Sequence, residues 1–168
     1  TRTKVSFEAA EKQMAFPTYN SAVTTSAVNK GESLYDSILT MKALGMNIAV
    51  IRHQNNHYYK DLLDIGISIV NAGSGSGEHP SQCLFDMMTI IEEFGKIQGL
   101  KVAIVGDLKH SRVARSNAKI LHELGATIYF CSPKEYYDKE FEKYGTYKKL
   151  DEVIFEVDVL MMLRILHK

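Results

Sequence analysis

The sequence predicts an α/β protein, and three observations carry the prediction. Apolar runs of strand length, at residues 47–51, 101–105, 127–130 and 159–163, alternate with segments of helical spacing. That alternation is the pattern of a parallel sheet. A glycine loop, Asn71-Ala72-Gly73-Ser74-Gly75-Ser76-Gly77, leads from a further apolar run (Ile67, Ile69, Val70) to a long amphipathic segment opened by Pro80. The alternation then restarts after a short polar seam at residues 94–99, dividing the chain into residues 1–95 and 96–168. Two doubly wound, Rossmann-like parallel-sheet halves, both incomplete and joined by a long helix, is the expected layout.

Residues 4–16 have helical spacing, with Val5, Phe7, Ala10 and Met14 as the expected buried positions. No strand precedes them, so the start looks cut. A polar loop at 24–31 leads to a second helix over 32–44, closed by Gly45. The run 47–51 is continuously apolar, as buried parallel strands are, and ends on Arg52-His53. A helix near 58–65 precedes the strand that feeds the glycine loop. Proline is favoured at the first helical position, so His79 falls where an N-cap belongs and Gly95 ends the helix. On that helix Leu84, Met87, Met88 and Ile91 share the spacing of one face. Downstream, helices over 113–124, 134–144 and 150–157 separate the strands at 101–105, 127–130 and 159–163.

Composition narrows the classes. Twenty basic and twenty acidic side chains cancel, which gives no argument for a nucleic-acid or membrane surface. No apolar run is long enough to span a bilayer. Cys83 and Cys131 are isolated thiols without metal-ligand spacing, consistent with a reducing, cytoplasmic setting.

In open α/β sheets, ligands bind beyond the carboxyl ends of the strands. This chain places Arg52, the glycine loop with His79 and Gln82, the Asp107 loop with Arg112, and Arg164 there. Guanidinium forks and helix N-terminal amides both select oxyanions, so a substrate with several negative groups is expected. Other readings of the loop fail. Glycines at 73, 75 and 77 do not fit G-x-G-x-x-G, no P-loop motif occurs, and Ser74 and Ser76 are misplaced for a hydrolase elbow. Taken singly, His79 also serves simply as an N-cap, and Lys30 on its polar loop as a solvated charge.

Several motifs together resemble one family. Thr1-Arg2-Thr3 looks like the Ser-Thr-Arg-Thr signature of carbamoyltransferases without its leading serine. Lys30-Gly31-Glu32, Arg52-His53, His79-Pro80-Ser81-Gln82 and Gly106-Asp107-Leu108-Lys109 with Arg112 resemble aspartate carbamoyltransferase, in register to Arg164. Ornithine carbamoyltransferase shares the first motif and His-Pro-x-Gln, whereas Lys-Gly-Glu and Gly-Asp-Leu-Lys argue for the aspartate enzyme. The chain would be a fragment of that catalytic chain lacking both termini. It departs from the family at Arg164-Ile165-Leu166, where the pattern reads Arg-x-Gln.

The resemblance implies transfer of a carbamoyl group from carbamoyl phosphate to the amine of L-aspartate, in pyrimidine biosynthesis, with no metal or organic cofactor. It implies a carbamoyl-phosphate domain at 1–95 and an aspartate domain at 96–168, both partial. It implies that Thr1, Arg2 and Thr3 hold phosphate at a helix start, and that Arg52 bridges phosphate and carbonyl oxygen. His79 with Thr3 would polarise that carbonyl and Gln82 would meet the carbamoyl amide. Ser26 and Lys30 would enter from the adjacent chain of a homotrimer, and Arg112 and Arg164 would grip the aspartate carboxylates. Regulatory chains, another acceptor such as ornithine, and a catalytically dead anion-binding assembly subunit stay open.

Overall fold

The computed structural model describes residues 2–20, 33–75 and 77–164. Thr1, Ser26, Lys30 and Leu166 lie outside the described residues. The described chain is mixed α/β with parallel strand pairing, as expected, and divides into two compact units. One comprises residues 1–51 and 59–72, the other residues 52–58 and 73–168.

The first unit begins with helix α1 (Arg2–Gln13); Val5 and Ala10 on it and Met14 just past its end are exposed, and Phe7 is only half-buried. The expected buried stripe is therefore not covered by any described element, and periodicity alone overstated it. Helix α2 (Leu34–Ala43) is capped by Ser33, whose Oγ accepts from the Asp36 amide at 3.1 Å, and it buries Ile38. Strand β1 (Ile48–His53) pairs with β2 (Ser68–Ser74) in a two-stranded sheet. So small a sheet leaves Ile48 and Val50 exposed, against the expectation of a fully buried strand. Tyr58–Leu62 is a 3₁₀ turn rather than an α-helix. β2 also runs through Asn71 to Ser74, so the first half of the glycine stretch is strand, not loop.

The second unit holds the larger core. Helix α3 (Pro80–Phe94) begins on His79, and Gly95 closes it in the left-handed conformation at φ 73°. Strands β3 (Lys101–Val105), β4 (Thr127–Cys131), β5 (Thr146–Tyr147) and β6 (Val159–Met162) form a parallel sheet in the order β5-β4-β3-β6. Alternate residues face opposite sides of a strand. Val102, Ile104, Ile128 and Phe130 pack with α3 and with helix α4 (Arg112–Glu123) through Met87, Ile90, Ala118 and Leu121. Ala103 and Cys131 pack on the other side with Val153 of helix α5 (Leu150–Val153). Helices on both faces make this sheet doubly wound.

Three details differ from the sequence reading. The expected helix over 150–157 ends at Val153. The inward stripe of α3 is Cys83, Met87 and Ile90, whereas Leu84, Met88 and Ile91 are exposed. The expected helix over 134–144 is two 3₁₀ turns, Lys134–Tyr136 and Lys139–Lys143. Arg115 explains the second, because its guanidinium holds Asp138 at 2.9 Å and Glu140 at 2.8 Å while Phe141 is buried against Phe130. Those anchors leave no single helical face to form.

Candidate functional site

Four of the expected site residues meet within the second unit, at the turn from β2 into α3. Gly73, near the end of β2, has φ +131°, a conformation that residues with a Cβ rarely adopt. A Cβ built there would lie 3.4 Å from Arg112 Nη1 and 3.7 Å from Arg52 Cγ, so the missing side chain admits both arginines. Arg112 Nη1 donates to the Gly75 carbonyl at 3.1 Å, which ties the first residue of α4 to the loop. The loop is braced from the other side. The Gly75 amide donates to the His53 carbonyl at 2.9 Å, and Asn56 Oδ1 accepts the Gly77 amide at 3.1 Å.

His79 is fixed at both ends. Its backbone N–H donates to Ser116 Oγ at 2.9 Å, and its Nδ1 accepts from the Gln82 amide at 3.4 Å. An amide nitrogen can only donate, so Nδ1 is the bare nitrogen and Nε2 carries the ring proton. The Ser81 hydroxyl, 3.3 Å from the same Nδ1, then donates as well. Burial pushes the imidazole's pKa down from its ordinary value, and the charges of Arg112 and Arg52 push the same way, with Asp86 opposing. Arg112 is likewise lowered, by burial first and by Arg52 second. In both groups burial, and after it a neighbouring positive charge, disfavours the cationic form, and an arriving anion would offset both.

Gln82, one turn into α3, donates from Nε2 to Asp86 Oδ1 at 3.0 Å. The other carboxylate oxygen accepts from Nδ2 of Asn117 at 2.6 Å, an α4 residue with 0% exposure. Asp86, Ser116 and Asn117 were missed at the sequence level. Only Ser116 left a signal, since it follows Arg112 by four residues and so shares its helix face.

The remaining expected residues are placed more loosely. Thr3 sits in the first turn of α1 in the other unit, where amides have no intrahelical partner. Arg2 opens that helix. Arg164 is exposed just past the end of β6. Asp107 orders its loop by accepting the His110 amide at 3.0 Å. An open cleft of about 370 Å³ lies nearby, bordered by Asn56, Gly77, Ser116, Lys119 and Tyr144. Arg52, His79, Gln82 and Arg112 do not line it, and Arg115 in its wall is already engaged by Asp138 and Glu140. The polar turn at β2 is the better candidate.

Two arginines and an amide-fixed histidine thus meet at the end of β2 in an α/β protein, a set of groups whose chemistry suits oxyanions. The family described as aspartate/ornithine carbamoyltransferase, carbamoyl-P binding domain, matches residues 1–92, and the chain belongs to that family. It is 57% identical over 171 residues to the aspartate carbamoyltransferase catalytic subunit of Streptococcus pyogenes serotype M5 (strain Manfredo), covering 100% of this chain and 55% of that one. Among solved structures, the catalytic subunit of M. jannaschii aspartate transcarbamoylase superposes with a TM-score of 0.89 at 36% identity, covering 99% of this chain and 58% of that one. Aspartate transcarbamoylase from Trypanosoma cruzi, in complex with carbamoyl phosphate and aspartate, superposes with a TM-score of 0.88 at 31% identity, over 98% of this chain and 57% of the other. The chain thus spans about 55% of the length of the curated relatives it matches.

Proposed function

We propose that this chain supplies the carbamoyl-phosphate site and part of the aspartate site of an aspartate carbamoyltransferase. The reaction would join the carbamoyl group of carbamoyl phosphate to the amine of L-aspartate, releasing phosphate, as a step of pyrimidine biosynthesis in the cytoplasm. The observation that carries this reading is the convergence of Arg52, Arg112 and a neutral His79 at the β2–α3 turn. The naming of the S. pyogenes relative as an aspartate carbamoyltransferase catalytic subunit supports the choice of acceptor.

The roles follow from the chemistry of the groups. Thr1, Arg2 and Thr3 receive phosphate at the start of α1. Arg52 reaches both phosphate and the carbonyl oxygen. His79, bare at Nδ1, offers Nε2–H to that oxygen with help from Thr3, and Gln82 meets the carbamoyl amide. The acceptor amine attacks the carbonyl carbon directly, the carbon–oxygen bond to phosphate breaks, and no enzyme nucleophile takes part. Catalysis is then positioning plus stabilisation of the tetrahedral oxyanion. Residues 1–95 form the carbamoyl-phosphate domain and 96–168 the aspartate domain, where Arg112 and Arg164 hold carboxylates. Ser26 and Lys30 complete the site from the neighbouring chain of a homotrimer, with which regulatory chains could associate.

The test is carbamoylation by the full-length chain offered aspartate, ornithine and putrescine in competition. Only N-carbamoyl-L-aspartate should form. Carbamoylation of ornithine or putrescine instead would overturn the acceptor assignment, and no product from any of them would leave an anion-binding assembly subunit.

A further inference from the structure

We propose that Asp86, itself held by Asn117, is the positioning residue that decides which end of the Gln82 amide faces the site, and thereby makes the site select an acyl-phosphate donor bearing an NH₂ group. The proposal rests on the carbamoyl-phosphate reading of the site.

The argument begins with donors and acceptors. An ionised carboxylate only accepts. Gln82 must therefore present Nε2, not Oε1, to Asp86, and the observed bond at 3.0 Å does so. The amide is planar, so Oε1 is turned away from the carboxylate. Asp86 lies one turn further along α3 than Gln82, while His79 lies at the helix start. The end of Gln82 left for a ligand beside His79 is thus a pure hydrogen-bond acceptor. An acceptor in that place pairs with an N–H and not with a methyl group.

Asp86 is in turn held against rotation. Asn117 donates to its second oxygen at 2.6 Å from a position with no solvent exposure. Asn117 accepts a cost to do this, because its Oδ1 is buried without a hydrogen-bond partner among the described residues. A buried amide that leaves its oxygen unsatisfied is expensive unless its nitrogen is committed elsewhere. The relay runs across the packed α3–α4 contact, with Asn117 on α4 and both Asp86 and Gln82 on α3. Arg112 opens that same α4, so one helix carries both an anion-binding arginine and the asparagine that steadies Asp86.

Carbamoyl phosphate and acetyl phosphate differ by NH₂ against CH₃ and provide the probe, with inorganic phosphate as the control. Dissociation constants for the three are measured by calorimetry on the full-length chain. Wild type should prefer carbamoyl over acetyl phosphate. Asp86→Ala frees the Gln82 amide and should shrink that preference roughly tenfold, the worth of one hydrogen bond to a neutral group. Phosphate binding should stay within about twofold of wild type, the scatter expected for a contact that is not touched. Gln82→Ala should shrink the preference by a similar factor, and adding Asp86→Ala to it should change little more, because both act through one amide. Should Asp86→Ala fold poorly, the near-isosteric Asp86→Asn carries the test, and its preference should fall part-way because its side chain can meet Gln82 with either end. When Asp86→Asn is combined with Asn117→Asp, the carboxylate now on α4 claims the amide nitrogen introduced on α3. The amide oxygen is thereby returned to Gln82, restoring the preference. Unchanged discrimination in folded Asp86 variants would overturn the proposal, as would equal weakening of all three ligands. A wild-type chain that does not discriminate at all would instead overturn the carbamoyl-phosphate reading itself.

Discussion

Gly75→Ala tests the idea that the loop after β2 is a tightly braced support for the arginines. The residue has φ +44°, and a built Cβ would collide with Asn56 Oδ1 and stand 2.6 Å from the Gln54 carbonyl oxygen. The backbone oxygen cannot step aside cheaply, so Asn56 must move and release the Gly77 amide that it holds. The left-handed conformation costs alanine about 1–2 kcal/mol. A lost hydrogen bond adds about 1 kcal/mol and overpacking about 1–3 kcal/mol. The expected destabilisation is therefore about 3–6 kcal/mol, a large share of a domain's usual 5–15 kcal/mol. Gly95→Ala is the control, since its left-handed cap has nothing within 4 Å of a built Cβ, and it should cost only the conformational part, about 1–2 kcal/mol. Urea unfolding of the two variants and wild type, at constant m-value, reads the difference. A Gly75 variant within about 1 kcal/mol of the Gly95 variant would refute the reasoning, because the steric cost would then be absent.

Arg52→Ala in the full-length chain should lower kcat by about 10²–10³, the range for losing a donor to a developing oxyanion, and His79→Ala should cost less because its hydrogen bond is uncharged. Steady-state rates decide the order, and a larger loss at the histidine would indicate proton transfer instead. Folding stability should also carry His79's signature. Its native pKa lies below the ordinary 6.5, so on acidification the unfolded chain protonates first. That contribution is intact above about pH 6.5 and is lost as pH falls toward the lowered native value. His79→Gln should therefore flatten the acid-side decline in urea midpoints. Lys30→Ala and Arg52→Ala chains, each nearly inactive, should regain activity when dissociated and reassembled together, whereas persistent inactivity after proven exchange would place Lys30 within its own chain's site. Finally, Cys83, pushed up to about 11 by burial and then by Asp86, and Cys131, raised by burial and Glu152, should resist thiol reagents near pH 8 until the protein is unfolded.

Local chemistry explains which parts of the molecule were legible in the sequence. Pro80 and Gly95 bracket α3 because each has one conformation that it suits better than its neighbours do. Strands β3 and β4 stood out because they are buried on both faces, and Arg52, His79 and Arg112 because strand ends and helix starts can be counted. Longer-range matters were not readable. Leu84 and Met87 look alike along a helix, and only the packing of α3 selects the stripe through Met87. Residues 134–144 have helical composition, but Arg115, distant in sequence, decides their path through Asp138 and Glu140. Asp86 and Asn117 gain a role only when α4 is laid against α3.

The bond from Arg112 to the Gly75 carbonyl also bears on how quickly and how selectively an anion could be held. A mobile arginine surrenders up to about 2 kcal/mol of rotamer freedom when a ligand immobilises it. Here the loop has restrained the guanidinium in advance, so folding rather than binding absorbs much of that loss. A ligand meets a fork already set at one angle, and even a small oxyanion would keep most of its contact energy. The same restraint limits tolerance, because a fork that cannot swing cannot follow an anion of a different shape.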